Sequence, residues 1–162
     1  AAHERALNGA EVAEMEAMVA QTLDYVREGR DGEPAVPTDL AAILQTLASD
    51  ASDAGHDVAY EGPARAVLPL RRLAAKRAFA NLVDNAVRHG TGPVRLSIAE
   101  AGRGEVVARV ADAGPGIAER DRARALDPFV QLDASRGAVG AGLGLAIARR
   151  FAEASGGRLE LG

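Results

Sequence analysis

The spacing of apolar positions divides the chain into alternating helical and extended stretches. Val12, Met15, Val19, Thr22 and Val26 recur at three- and four-residue steps, the seam of a coiled coil. Met18, Leu23 and Tyr25 widen that surface, and a helix is predicted from residue 10 to about 28. Residues 1–9 are expected to fray. Two glycines and two prolines between 29 and 37 then stop the helix and mark a linker. Thr38 or Asp39 caps a second helix to about residue 54, with a stripe of Leu40, Ile43, Leu44 and Leu47. Residues 56–60 and 65–68 read as short strands around the Gly62-Pro63 turn.

Ala78, Phe79, Leu82, Val83 and Ala86 give a third helix with one buried face, ended by Gly90. Val94, Leu96 and Ile98 alternate with polar partners, and Val106, Val107 and Val110 follow a glycine loop, so residues 94–99 and 105–110 form a hairpin. A short helix is expected at 119–126. A polar, glycine-containing stretch to Val139 reads as a loop or lid. A last helix runs to Ser155-Gly-Gly157, and residues 158–161 begin a strand.

The composition narrows what such a chain does. At 162 residues and 48% hydrophobic content it suits one globular unit with a small appendage. The net charge of −4 and the 3% aromatic content argue against nucleic-acid binding. Cysteine is absent, which excludes disulfide and thiolate chemistry and fits an intracellular setting. No apolar run approaches the roughly 18–20 residues that span a bilayer. Lys76 is the only lysine among many arginines, a composition bias rather than chemistry. His3 and His56 have no partner at a useful spacing.

Candidate chemistry concentrates in the third helix and the glycine segments. Asn81 and Asn85 lie four apart, one turn above the other. Asn is a poor helix-interior residue. Two on one face are either solvated or aim their amide oxygens at a ligand such as Mg²⁺. Asp112-Ala-Gly114-Pro-Gly116 is either an ordinary turn or a carboxylate on a pocket floor, suited to an exocyclic amine. Gly140-Ala-Gly142-Leu-Gly144 opens a helix whose N-terminus suits phosphate. A loop rather than a strand precedes these glycines, so a Rossmann reading fails. Phe129, in Asp127-Pro-Phe129, reads as core or as part of the site.

Together these segments resemble the catalytic ATP-binding domain of sensor histidine kinases, of the gyrase, Hsp90, histidine kinase and MutL superfamily. Asn81-Leu-Val-Asp-Asn85-Ala-Val-Arg88-His89 is similar to its N box. Residues 112–116 resemble the first glycine box, 127–129 the F box and 140–145 the second glycine box. Residues 10–28 also resemble the second helix of the family's dimerisation hairpin. The resemblance implies a two-layer α/β sandwich with a mixed sheet and helices on one face. It divides the chain into a partial hairpin helix (1–30), a linker (31–37) and the ATP-binding domain (38–162).

The resemblance also implies roles. Asn85 holds Mg²⁺, while Asn81 and Arg88 lie near the phosphates. Asp112 reads the adenine amine, and Gly114 and Gly116 shape its pocket. Arg136 on the lid reaches the γ-phosphate, and Gly142 and Gly144 line the triphosphate. His89, Ile117, Phe129, Gly140 and Leu143 complete the nucleotide set. His89 stands where Tyr is frequent, and Ala141 where Thr or Ser is. Where ATP-hydrolysing relatives place a Glu four residues before the metal Asn, this chain has Asn81, which cannot take a proton. The expectation is a Mg-ATP-binding kinase unit that transfers phosphate to a histidine outside this chain. The histidine would lie on a dimerisation hairpin, for relay to a response-regulator receiver domain, within a homodimeric parent and on the cytoplasmic side. The alternatives are an anti-sigma-factor-type serine kinase and a nucleotide-binding pseudokinase scaffold.

Overall fold

The computed structural model describes residues 2–28, 30, 32–132 and 142–162, with side chains from residue 9 onward. The chain opens with helix α1 (Ala2–Glu28). Its start at Ala2, where fraying was expected, follows from the strong helix formers Ala2, Glu4, Arg5, Ala6 and Leu7. At 27 residues it is about 40 Å long.

Strand β1 (Val36–Asp39) leads into α2 (Leu40–Asp53). β1 occupies the end of the expected 31–37 linker and pairs antiparallel with β3 (Val67–Leu70). Pro37 faces Pro69 in that ladder. Neither has an N–H, so the two share a position that a ladder without donors tolerates. Asp39 ties the corner together. Its Oδ1 accepts from Ala42 N at 3.4 Å, capping α2, and from Ala66 N at 3.0 Å. The bond from Ala66 is the main cause that holds this half-buried carboxyl below its usual range.

The main sheet has the order β2-β4-β5. β2 (Val58–Glu61) runs parallel to β4 (Val94–Gly102), which pairs antiparallel with β5 (Glu105–Ala111). β2 and β3 each begin two residues later than the sequence reading. Arg103 and Gly104 both have positive φ, as a primed hairpin turn requires. Val94, Leu96 and Ile98 point inward, with Val106, Ala108 and Val110 beside them, while Arg95, Ser97 and Arg109 face the other way.

Helices cover the inner face. α2 contributes Leu40, Ile43 and Leu44. α3 (Arg72–His89) contributes Ala74, Ala75, Ala78, Phe79, Val83 and Ala86. α5 (Gly144–Ala154) contributes Ala148 and Phe151. The alanines of α3 let α5 approach closely, and the Phe79 and Phe151 rings meet edge to face, centroids 6.2 Å apart. The short α4 (Glu119–Ala125) follows β5. This is the expected two-layer α/β arrangement. Residues 158–161 differ from expectation. Leu159 packs on the core, but the stretch forms no strand. Its vicinity provides one backbone bond, from Ile117 N to Gly162 O at 3.3 Å, which is too little for a ladder.

Candidate functional site

α3 runs along the site with Arg77, Asn81, Asn85 and Arg88 in one line, because steps of four and three residues return to the same face. Asn81 and Asn85 are half-buried. Neither amide bonds another described residue, so both retain their hydrogen-bonding capacity. Arg88 pairs instead with Asp84, at 2.9 Å between Nε and Oδ1, and His89 is exposed.

The first glycine segment is fastened to the C-terminal end of this helix. Asp112 Oδ1 accepts from Gly114 N at 2.6 Å, closing a turn on itself. Ala113 N donates to Thr91 O at 2.8 Å. Gly90 lies directly against Asp112. A Cβ at Gly90 would stand 2.5 Å from Asp112 Cγ and 2.4 Å from Ala86 O. The sequence reading gave Gly90 only a helix-stopping role. Its packing role depends on a residue 22 positions away and left no local signal. Asp112 itself is exposed, with its second carboxylate oxygen available. Gly116 faces the Gly162 carbonyl, 2.9 Å from where its Cβ would be, and Ile117 is half-buried beside it.

The second glycine segment meets both the helix and the F-box stretch. A Cβ on Gly144, the first residue of α5, would lie 3.7 Å from Asn81 Cβ. The N-terminus of α5 therefore abuts the amide line of α3, bringing free N–H groups and a positive dipole end toward Asn81. Gly142 has φ +69°, and a Cβ there would stand 2.9 Å from the Val130 carbonyl oxygen. The Gly142 carbonyl accepts from Phe129 N at 3.0 Å. Leu143 is fully buried, so its side chain belongs to the packing beneath the site. Phe129 is 63% exposed at φ +64°, which removes it from the core. Arg136 and Gly140 lie outside the described residues, as does Ala141.

Thus Asn81, Gly142, Gly144 and Phe129 are gathered beside the middle of α3, and Asn85 leads on toward Gly90, Asp112 and Gly114. Among the described residues, no group of three His, Cys, Asp or Glu side chains could hold a metal by itself. A cavity of about 600 Å³ lies elsewhere, between α4, α5 and Leu159, with Arg120, Arg124, Arg149 and Arg158 around it.

Known proteins share sequence and fold with this chain. The sensor histidine kinase GtrS of Pseudomonas aeruginosa is 37% identical over 153 residues, covering 94% of this chain and 31% of that protein. The sensor protein RstB of Escherichia coli is 33% identical over 169 residues, covering 99% of this chain and 38% of that protein. The chain thus spans about a third of the length of these relatives. Full-length ShkA, solved in complex with AMPPNP, superposes with a TM-score of 0.75 at 30% identity, over all of this chain and 37% of ShkA. Residues 71–162, which hold α3, both glycine segments and α5, match the family of histidine kinase-, DNA gyrase B-, and HSP90-like ATPases, and the chain belongs to that family.

Proposed function

We propose that this chain is the ATP-binding kinase unit of a two-component sensor. It binds Mg-ATP along α3 and passes the γ-phosphate to a histidine outside this chain, for relay to a response-regulator receiver domain. The observation that carries the reading is the contact between Asn81 and the start of α5 at Gly144. It puts an amide, not a carboxylate, beside the helix N-terminus that suits phosphate. An amide orients a group without taking its proton, so bound ATP is not efficiently hydrolysed by water. Phosphoryl transfer then depends on positioning and charge neutralisation.

The remaining residues take roles consistent with that reading. Asp112 accepts from the adenine amine with its second oxygen, while Gly90 and Gly114 leave space for the turn that aims it. The α5 N-terminus, with Gly142 and Gly144, receives the phosphates, and the resemblance to the family assigns Arg136 to the γ-phosphate. Asn85 fits Mg²⁺ because that ion needs only one or two protein oxygens when phosphates and water complete its shell. When bound, the ion neutralises charge on the phosphates. Arg88 must leave Asp84 to join them.

Residues 1–30 act as one helix of a dimerisation hairpin and 38–162 as the nucleotide-binding unit. Val12, Met15, Val19, Leu23 and Val26 are 46–65% exposed along α1. Such a continuous apolar seam suits partner helices of a homodimer. Among the described residues no helix is long and apolar enough to cross a membrane, and we place the unit on the cytoplasmic side.

The test supplies radiolabelled ATP, Mg²⁺ and a separate acceptor-hairpin fragment. Acid-labile label on the fragment's histidine is the expected result. Intact ATP binding with no label overturns the kinase reading, and acid-stable label points to the serine-kinase alternative.

A further inference from the structure

The cavity between α4, α5 and Leu159 gathers positive charge in a chain whose net charge is −4. Arg120 and Arg124 reach it from α4, Arg149 from α5 and Arg158 from the C-terminal stretch. Only two carboxylates, those of Asp127 and Glu153, line it with them. Like charges brought together from three segments repel one another, and an anion between them relieves that repulsion.

The four guanidinium groups are not equally committed. Arg149 pairs with Glu153 at 2.9 Å and Arg158 with Glu160 at 2.5 Å. Both pairs are exposed, so they contribute little and exchange readily. Arg120 Nε lies 3.7 Å from Asp121, its neighbour in sequence. Arg124 has no side-chain hydrogen bond or ion pair among the described residues, which leaves its donors available. Beneath this rim Leu126 and Leu159 are half-buried, and Leu159 packs on the core. The floor is apolar and anchored while the rim is cationic. At about 600 Å³ the cavity has the size of clefts that hold one small molecule. A guanidinium fork matches the oxygens of a phosphate or a carboxylate, and the floor accepts an apolar body.

The cavity is separate from the amide line of α3. Gly144 adjoins Asn81, whereas Arg149 follows five residues later, about 140° around α5. Glu153, one turn beyond Arg149, continues the same outer face.

We propose that this cavity binds a small organic polyanion, an apolar or aromatic body carrying phosphate or carboxylate groups. The site goes beyond the kinase reading and does not depend on it. Arg124 bonds the anion first, and Arg149 and Arg158 then exchange their exposed carboxylate partners for it. Ligand and Mg-ATP are held at the same time, because α5 stands between the two places.

The experiment saturates the chain with Mg-AMPPNP and titrates it with phenyl phosphate, phthalate or sulfate, reading backbone amide shifts by NMR. The native chain is compared with Arg124→Gln and, separately, Arg158→Gln. Expected are saturable shifts at Arg124, Arg149 and Leu159, with a dissociation constant of about 1 mM or less for at least one aromatic anion. Each substitution should weaken that binding roughly tenfold and leave AMPPNP affinity unchanged. A response to phenyl phosphate alone supports a phosphate ligand, and a response to phthalate alone supports a carboxylate. The site is overturned if no shift saturates, if the shifts persist undiminished in both variants, or if they fall at Asn81 and Gly144 instead. Sulfate binding as tightly as the aromatic anions overturns the organic ligand. A glutamate-rich peptide that binds where neither aromatic anion does overturns the small molecule in favour of an acidic protein segment. If one variant loses AMPPNP binding through misfolding, the other decides by the same readings.

Discussion

The two halves of α3 are treated in opposite ways. In its first turns the helix is anchored by charge and by a borrowed cap. Arg71 and Arg77 are paired with Glu28, and the Leu73 and Ala74 amides are capped by Glu33. In its second half the Asn81 and Asn85 amides stand without a described partner, and the neighbouring segments approach through glycines that place no side chain in the way. One half is anchored and the other is kept unsatisfied on a rigid support. Polar capacity left unspent in a half-buried place is the mark of a surface awaiting a ligand.

That contrast can be broken experimentally, beginning where the effect is greatest. Asn85→Ala removes an amide oxygen from the unsatisfied half. Mg²⁺-dependent nucleotide affinity should fall on the order of 100-fold, measured by calorimetry with and without the metal, while the thermal midpoint of the free protein barely moves. Gly90→Ala drives a Cβ into Asp112 and the Ala86 carbonyl and should destabilise by about 1–3 kcal/mol in urea unfolding. Nucleotide binding should weaken with it, because the Asp112 turn must shift.

Asp112→Asn keeps an oxygen for the Gly114 N–H but turns the outward acceptor into a donor. Preference for ATP over GTP should drop roughly tenfold in competition binding. Equal preference in variant and parent would falsify the adenine assignment. In the anchored half, Glu33→Gln weakens the cap of α3 and should lower stability by about 0.5–1 kcal/mol, read as a small shift in the urea midpoint with ATP affinity intact.

The smallest effect is acid-linked and lies outside α3. The folded-state pKa of Asp39 is depressed chiefly by the Ala66 N–H bond; desolvation opposes it, and the Ala42 N–H bond adds to the lowering. Its contribution is complete above the ordinary carboxylate pKa and fades as pH falls through the depressed folded value. In Asp39→Asn, therefore, the stability deficit relative to the parent should shrink as pH drops through that window.

What the sequence disclosed and what it withheld have separate physical origins. The faces of α2 and α3, and the hairpin of β4 and β5, are written in local periodicity, and the fold follows from them. β1 was hidden because its two-stranded ribbon with β3 contains Pro37 and Pro69, residues that normally speak against a strand. The role of Gly90 was hidden because its neighbour Asp112 comes from another element. Glu28 was hidden for the same reason, since its partners stand 43 and 49 positions away. Arg88 belongs to the N-box pattern but is engaged by Asp84, a competition between neighbours that the motif does not encode. Phe129 shows that an aromatic in an otherwise polar stretch need not be buried.

Phe129 has a consequence of its own. A large ring stands in solvent on a left-handed backbone that disfavours side chains by about 1–3 kcal/mol. Its N–H is joined to the carbonyl of Gly142, thirteen positions along the chain. The two flanks of residues 133–141 are thus latched by a hinge pin under load. A substitution that shifts Gly142 therefore acts directly on a strained residue thirteen positions earlier.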